Sequence, residues 1–412
     1  MTELPDTWKW SKIGEVADIV RGVTYSKGDT LSASDNDAVP LLRATNLEVD
    51  SIDFEDMVYV PMRVVKAQQY LQLDDIFLAA SSGSISVVGK SAQVVKTNGE
   101  TFGAFCAVIR PKNINPKFLA YWVQSPAIRD HWSAIAKGTN INNLKPSDIS
   151  ETNIPVPSID EQHKIVELLE DHLSRLDAAL ADVKQAKLKA AQFRRSLLKA
   201  TFEEFIDHSV RIGDVVTFNR KKPVEFKNSK SEVSFVPMPK VSEVSGQILL
   251  DEYISHSEGQ RRSLTYFENG DVIFAKITPC MENGKIALAK NLLNGAAYGS
   301  TEFHVLTPTE RILPDYLRYF IGSDDFRANA ERAMTGAVGQ RRVPKKYLEE
   351  HAIPLPSIGI QVGVVANLDE GLSRTDEAVK VAEKIEKEAA RLRRSLLQVA
   401  FTGQLTKEVV SV

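Results

Sequence analysis

The sequence predicts an α+β protein: two mixed α/β units, each followed by a long helix, with the helices packed as an antiparallel coiled coil in a pseudo-twofold internal repeat. Three observations lead there. Residues 158–205 and 357–404 are one pattern written twice at an offset of 199, with Leu173-Ser-Arg-Leu-Asp against Leu372-Ser-Arg-Thr-Asp and Arg194-Arg-Ser-Leu-Leu against Arg393-Arg-Ser-Leu-Leu. An apolar seam runs through both copies in the same steps of three and four, the spacing of a coiled coil. The stretch before each helix is a series of short β-rich runs punctuated by Gly, Pro, Asn and Asp.

Residues 1–157 form the first unit. Within it 37–42, 75–80 and 102–109 read as strands, the last ended by Pro111, while 116–123 and 126–136 have helical spacing. The unit closes on the polar loop Gly138-Thr-Asn-Ile-Asn-Asn-Leu-Lys-Pro-Ser. Pro155-Val-Pro-Ser then stops the sheet, and Ser158 caps the central helix, 158–205, with Glu161 completing a capping box. Its seam is Leu169, Leu173, Leu176, Leu180, Val183, Ala186, Ala190, Phe193 and Leu197. Residues 206–356 form the second unit, a loose repeat of the first. Arg211-Ile-Gly-Asp echoes Lys12-Ile-Gly-Glu, Asp271-Val-Ile-Phe-Ala echoes Asp75-Ile-Phe-Leu-Ala, and Asn283-Gly-Lys echoes Val88-Gly-Lys. Gly336-Ala-Val-Gly-Gln-Arg-Arg-Val-Pro echoes the Asn-rich loop. The second long helix and a tail occupy 357–412, with Ser357 as a weaker cap and the seam Leu368, Leu372, Thr375, Val379, Ala382, Ile385, Ala389, Leu392 and Leu396. A doubled step of three in both seams predicts a stammer.

At 412 residues the chain is too long for a single core. No apolar run reaches the roughly 18 residues of a membrane span, and the start lacks the regions of a secretory signal. Cys106 and Cys280 lie in apolar runs and read as buried thiols of a cytoplasmic protein. A formal net charge of -3 excludes a generic polycation, although such a protein can still carry a basic face. The histidines are scattered and neither cysteine has a partner at zinc spacing, so no metal is expected. Gly83-Ser-Ile-Ser-Val-Val-Gly-Lys-Ser has five residues between its glycines where a P-loop has four, and the β-prone Ala92-Gln-Val-Val follows. It reads as a hairpin or as a loop carrying Lys90 to a phosphate, rather than a nucleotide site.

The order unit, helix, unit, helix, with Pro155-Val-Pro-Ser-Ile-Asp-Glu-Gln opening the first helix, resembles the DNA-specificity subunits of type I restriction–modification enzymes. Their helices begin with Pro-x-Pro-x-x-x-Glu-Gln. The second copy departs from that pattern, since Ile360 replaces the Glu and only Gln361 remains. Arg393-Arg-Ser-Leu-Leu-Gln-Val-Ala-Phe-Thr-Gly-Gln-Leu resembles the family's C-terminal end. Arg21-Gly-Val-Thr-Tyr, Ser81-Ser-Gly-Ser, Val87-Val-Gly-Lys-Ser-Ala, Phe102-Gly-Ala-Phe-Cys and Asn140-Ile-Asn-Asn make the first unit similar to the amino-terminal recognition domain of the enterobacterial K type.

The resemblance implies a noncatalytic subunit with two target-recognition domains. Each would read one half-site of a bipartite, asymmetric target in double-stranded DNA. The helices would scaffold two methyltransferase (modification) subunits, which are then joined by restriction and motor subunits. S-adenosylmethionine, ATP and Mg would be used by those partners and no cofactor by this chain; each methyltransferase would flip an adenine out of one half-site. The sequence has no Asn-Pro-Pro-Tyr-like or Asp-Pro-Pro-Tyr-like tetrad and no Gly-rich cofactor loop, which an adenine methyltransferase of its own would need. Two alternatives stay open on the residues. One is a self-contained DNA methyltransferase or nuclease, which would bind S-adenosylmethionine. The other is a coiled-coil protein-interaction scaffold, which would show no sequence-dependent DNA affinity.

For DNA contacts, Arg and Lys neutralise phosphates or read guanine, and Asn and Gln read adenine. The candidates in the first unit are Arg21, Arg43, Lys90, Asn140, Asn142, Asn143 and Lys145. In the second they are Arg220, Lys221, Lys222, Arg261, Arg262, Lys276, Gln340, Arg341, Arg342, Lys345 and Lys346. The loops before each helix are the favoured places, because polar loops occur there in both units. Arg194-Arg and Arg393-Arg read as solvated helix charge. Leu173-Ser-Arg-Leu-Asp and its copy read as a surface for two copies of one partner.

Overall fold

The structure, a computed structural model, describes residues 4–407 apart from Val49, Thr139, Asn140, Val244, Ser245 and Val338. It contains two compact units, Met1–Asp182 with Ile385–Val412 and Val183–Lys384. Both divisions fall inside the long helices Ile159–Glu203 and Ile358–Ala400, so each unit holds a piece of both.

In the first unit an antiparallel sheet runs in the order Ala17–Arg21, Cys106–Pro111, Ile76–Ala79, Ser91–Gln93. The expected strand 102–109 is two strands, Thr101–Phe102 and Cys106–Pro111, separated by a turn at Gly103. The first of these pairs parallel with Ala38–Leu42, which makes the unit's sheets mixed. The helices Pro116–Gln124 and Pro126–Ile135 form where the spacing placed them. The second unit repeats the sheet as Val216–Phe218, Phe303–Pro308, Val272–Ala275, Ile286–Leu288, and adds a four-stranded sheet centred on Glu232–Val236 and Ala296–Gly299, again parallel.

The echoed motifs fold alike. Ile13 and Ile212 are buried, and their N–H groups donate to Thr152 and His351 carbonyls. Gly89 and Gly284 both have positive φ, +78° and +80°, and an added Cβ would meet Arg129 Nη1 at 2.8 Å or Arg327 Nη1 at 3.2 Å. That positive φ favours glycine, and an added Cβ would push on the arginine tips.

Within each unit the helix pieces run antiparallel. In the first, Glu161 faces Thr406 and Asp177 faces Arg393 (3.0 Å). In the second, Arg194 faces Asp376 (3.3 Å) and the Leu197 side chain lies over Gly371. The two arginine–aspartate pairs are the same pair at the repeat offset. The helix ends are also core. Phe401 packs edge-on to Phe118 and Trp122, at 5.1 and 5.0 Å between ring centres; its counterpart Phe202 packs on Tyr316 and Phe320 at 5.3 and 5.2 Å. Such ring pairs add about 0.5–1.5 kcal/mol beyond area burial.

The seam differs from the expectation in its second half. Leu169, Leu173, Val183, Leu368 and Leu372 are buried, and Leu176, Leu180, Leu197, Val379 and Leu396 are half-buried. Phe193 and Leu392, however, are each 51% exposed and Ile385 is 42% exposed. The inward positions beyond Val183 are Lys187, Ala190, Arg194 and Leu197; beyond Ala382 they are Glu386, Ala389, Arg393 and Leu396. Those steps are regular heptad steps, so the burial pattern carries no stammer. Arg194 and Arg393 occupy seam places because a long stem covers apolar surface while the head reaches a partner carboxylate. Cys106 is buried, which pushes its thiol up to about 12, whereas Cys280 is only half-buried, contrary to the reading of both as buried.

Candidate nucleic-acid interface

Each unit gathers several of its candidate residues at one end of the main sheet. In the first unit the loop before the central helix pairs with the serine loop, Asn142 opposite Ser82 and Asn143 opposite Ser81. The Leu144 N–H donates to the Ala80 carbonyl at 2.8 Å, and the Ala80 N–H donates to the Phe105 carbonyl at 2.9 Å. Asn142 Nδ2 donates to the Ser82 and Gly83 carbonyls, and the Asn143 side chain accepts from the Ser81 hydroxyl. Arg21 ends the neighbouring strand opposite Ala107 and is exposed, as is Lys145. The end also presents Phe105, 64% exposed, a residue that composition-based reading passed over.

The second unit builds the same end from other residues. The Val343 N–H donates to the Lys276 carbonyl at 2.8 Å, and the Lys276 N–H donates to the Glu302 carbonyl at 2.9 Å. Arg342 pairs with Ile277 as Asn143 pairs with Ser81. By this ladder Glu302 stands where Phe105 stands, and Arg342 where Asn143 stands. Arg342 Nε and Nη2 hold the two Glu302 oxygens at 3.0 and 2.8 Å, and that guanidinium keeps the Glu302 carboxyl below its ordinary value. Beside them is a cleft of about 300 Å³ lined by Arg220, Lys222, Tyr266, Lys276 and Thr301. It brings three sequence candidates together. Burial lowers the Lys222 ammonium, which lies 6.0 Å from the Tyr298 ring centre.

Among the described residues no cluster of three or more His, Cys, Asp or Glu could hold a metal, and no helix is long and apolar enough to cross a membrane. The family description "Type I restriction modification DNA specificity domain" matches residues 5–189 and 208–387. The chain belongs to the type I restriction–modification DNA-specificity family. The EcoKI specificity subunit of Escherichia coli (strain K12) is 29% identical across 98% of this chain and 91% of that protein. The StySPI specificity subunit of Salmonella potsdam is 26% identical with the same coverage. The fold is shared with the HsdS subunit from Thermoanaerobacter tengcongensis, at TM-score 0.56 and 19% identity over 98% of each chain. A chain from work on complex assembly and conformational transition of the type I R-M system gives TM-score 0.74 and 19% identity over 98% of this chain and all of that one. A specificity subunit is noncatalytic, and the reactions belong to partner subunits.

Several candidates in this specificity subunit are engaged by partners within the protein. Lys90 Nζ donates to the Leu47 carbonyl at 2.9 Å, and its counterpart Lys285 donates to Met238 and Val241 carbonyls. The Gly-Lys echo thus makes a structural tie in both units. Arg43 is held by Asp56 at 3.0 Å, and Arg220 by Glu268 and the buried Asp271 at 2.6 and 3.2 Å. Arg341 pairs with Glu331 at 3.5 Å. Lys345 and Lys346 pair one helical turn on with Glu349 and Glu350, and Arg262 pairs with Glu258 while lying 5.0 Å from the Phe235 ring centre. Lys221, Arg261 and Gln340 are exposed. Asn140 lies outside the described residues. Asp177 and Asp376 of the duplicated surface motif are engaged by Arg393 and Arg194, so neither those arginines nor those aspartates are plain solvated charge. Spacing gave no sign of these pairs, because their members are far apart in sequence.

Proposed function

We propose that the two units read the two half-sites of a bipartite, asymmetric DNA target from these sheet ends, each through loops in the major groove, where every base pair has a distinct pattern of donors and acceptors. The observation that carries this is the shared ladder with exchanged side chains. Phe105, Asn142 and Asn143 end one sheet, and Glu302, Arg341 and Arg342 end the other. One scaffold with two different reading surfaces suits two different half-sites. The cleft carrying Lys222 and Lys276 is the phosphate seat beside the second surface. In this reading the subunit acts in the cytoplasm with two methyltransferase subunits and with restriction and motor subunits. Those partners carry S-adenosylmethionine, ATP and Mg and do the chemistry, including flipping the target adenine.

Exchange of residues 210–355 for the corresponding part of a relative tests the assignment. Methylome sequencing of a host carrying the hybrid with its partners should show one half-site replaced and the other kept. Change in both halves, or in neither, overturns the one-unit-per-half-site reading.

A further inference from the structure

We infer that Arg342, held in place by Glu302, reads a guanine in the half-site taken by the second unit. The inference rests on the reading above, that this sheet end faces DNA. The backbone of Arg342 is fixed on both sides: its N–H donates to the Thr335 carbonyl at 2.8 Å, and its carbonyl accepts from the Thr335 N–H at 3.0 Å. The guanidinium is fixed as well. Glu302 takes Nε and Nη2, and the Gln340 carbonyl takes Nη1 at 3.0 Å. A guanidinium has five N–H donors, so two remain. The side chain is 42% exposed, which leaves those two a way out of the protein.

The chemistry of that remaining edge selects its ligand. One N–H remains on each of Nη1 and Nη2, a pair that can meet two adjacent acceptors. In the major groove guanine offers such a pair in O6 and N7, adenine sets a donor beside its N7, and cytosine presents a donor. A phosphate also offers paired acceptors, but the carboxylate beside Arg342 repels it and cancels the charge that would attract it. The neighbouring lysines Lys276 and Lys222 line the adjoining cleft, where the Lys276 ammonium is bonded to the Thr301 carbonyl at 2.8 Å rather than clamped by a bidentate carboxylate. The end therefore divides its labour, with lysines for the backbone and a neutralised arginine for a base. Holding an arginine before the DNA arrives removes the ordering cost that a free side chain would meet on binding. The first unit has Asn143 and Phe105 at these two places, so it lacks this reader.

The test uses the subunit assembled with its methyltransferase partners and a duplex carrying its methylome-defined target. Guanines of the second half-site are replaced one at a time by 7-deazaguanine, which lacks the N7 acceptor. Wild type should lose about fivefold or more in affinity at one guanine, the lower end of a bidentate contact. Arg342→Ala should bind more weakly and be indifferent to the replacement there, whereas Arg342→Lys, whose ammonium can still donate to N7, should keep part of the sensitivity. Glu302→Gln should lose discrimination at that guanine while its salt dependence steepens by about one unit, because the freed cation can now meet a phosphate. Wild type indifferent at every guanine, a half-site without guanine, or unchanged sensitivity in Arg342→Ala overturns the inference. Lys276→Ala separates the two levels. If it flattens the salt dependence while no guanine depends on Arg342, only the guanine assignment falls. If it and Arg342→Ala both leave affinity and salt dependence unchanged, this end does not face DNA and both readings fall.

Discussion

Two buried amides fasten the long helices to the units they serve. Gln361 Oε1 accepts from the Leu313 N–H at 2.8 Å, and its Nε2 donates to the Pro356 and Arg311 carbonyls at 2.8 and 3.1 Å. Gln162 repeats the arrangement with the Asn115 N–H and the Pro157 carbonyl at 2.8 and 3.0 Å. Each Gln thus ties the start of its long helix to the start of a short helix in the sheet unit. Among the described residues Glu161 makes no comparable tie; its N–H donates to Ser158 Oγ and its carboxylate takes a 3.4 Å contact from Thr406. This explains how the second copy can replace the Glu with Ile360 and still keep Gln361. A buried polar group left unpaired costs about 1–3 kcal/mol, so Gln361→Leu, which strands an N–H and two carbonyls, should cost at least about 2 kcal/mol. Glu161→Ile should cost under about 1 kcal/mol, as near-surface changes do. Urea unfolding of the two variants compares them, and equal midpoints would remove the clamp. The Gln was legible in the sequence as a motif residue. The Arg342–Glu302 pair was not, since its members are 40 residues apart and only the sheet brings them together.

At the scale of the element, the sequence carried the existence, direction and repeat of the long helices, but not the phase of their second halves. Periodicity ranks positions by apolar character. It therefore chose Phe193 and Leu392 over the adjacent Arg194 and Arg393, which face the partner helix. What the apolar pattern could not weigh was an aspartate on the other helix waiting for each arginine. The same logic passed over Leu198 and Leu397, which are 5% and 7% exposed and belong to the cores of their units. Leu397→Ala should therefore destabilise the first unit by about 2–5 kcal/mol, the usual range for a buried leucine. Leu392→Ala, five residues away, should stay within about 0.5 kcal/mol in the isolated subunit. Denaturant melts of both variants check this. A larger loss from Leu392 than from Leu397 would restore the stammered seam and reject the heptad phase.

For the whole molecule, we propose that the helix pair sets the distance between the half-sites. The compact units divide at Asp182 and Val183 in one helix and at Lys384 and Ile385 in the other. Insertions at both divisions leave every contact inside each unit in place. One added residue in each helix turns the remainder of that helix by about 100°, and assembly or DNA binding should be lost. Seven added residues in each nearly restore the phase, because seven is the coiled-coil repeat. They lengthen each helix by roughly 10 Å. DNA rises about 3.4 Å per base along a strand, so a fully transmitted extension widens the unread gap by up to about three base pairs. Added base pairs also rotate one half-site around the duplex, and that torsion opposes the full increase. The expected methylome of the seven-residue variant keeps both half-sites and lengthens only the spacer, by between about one and three base pairs. An active enzyme that keeps the original spacer would show that something other than the helices measures the gap.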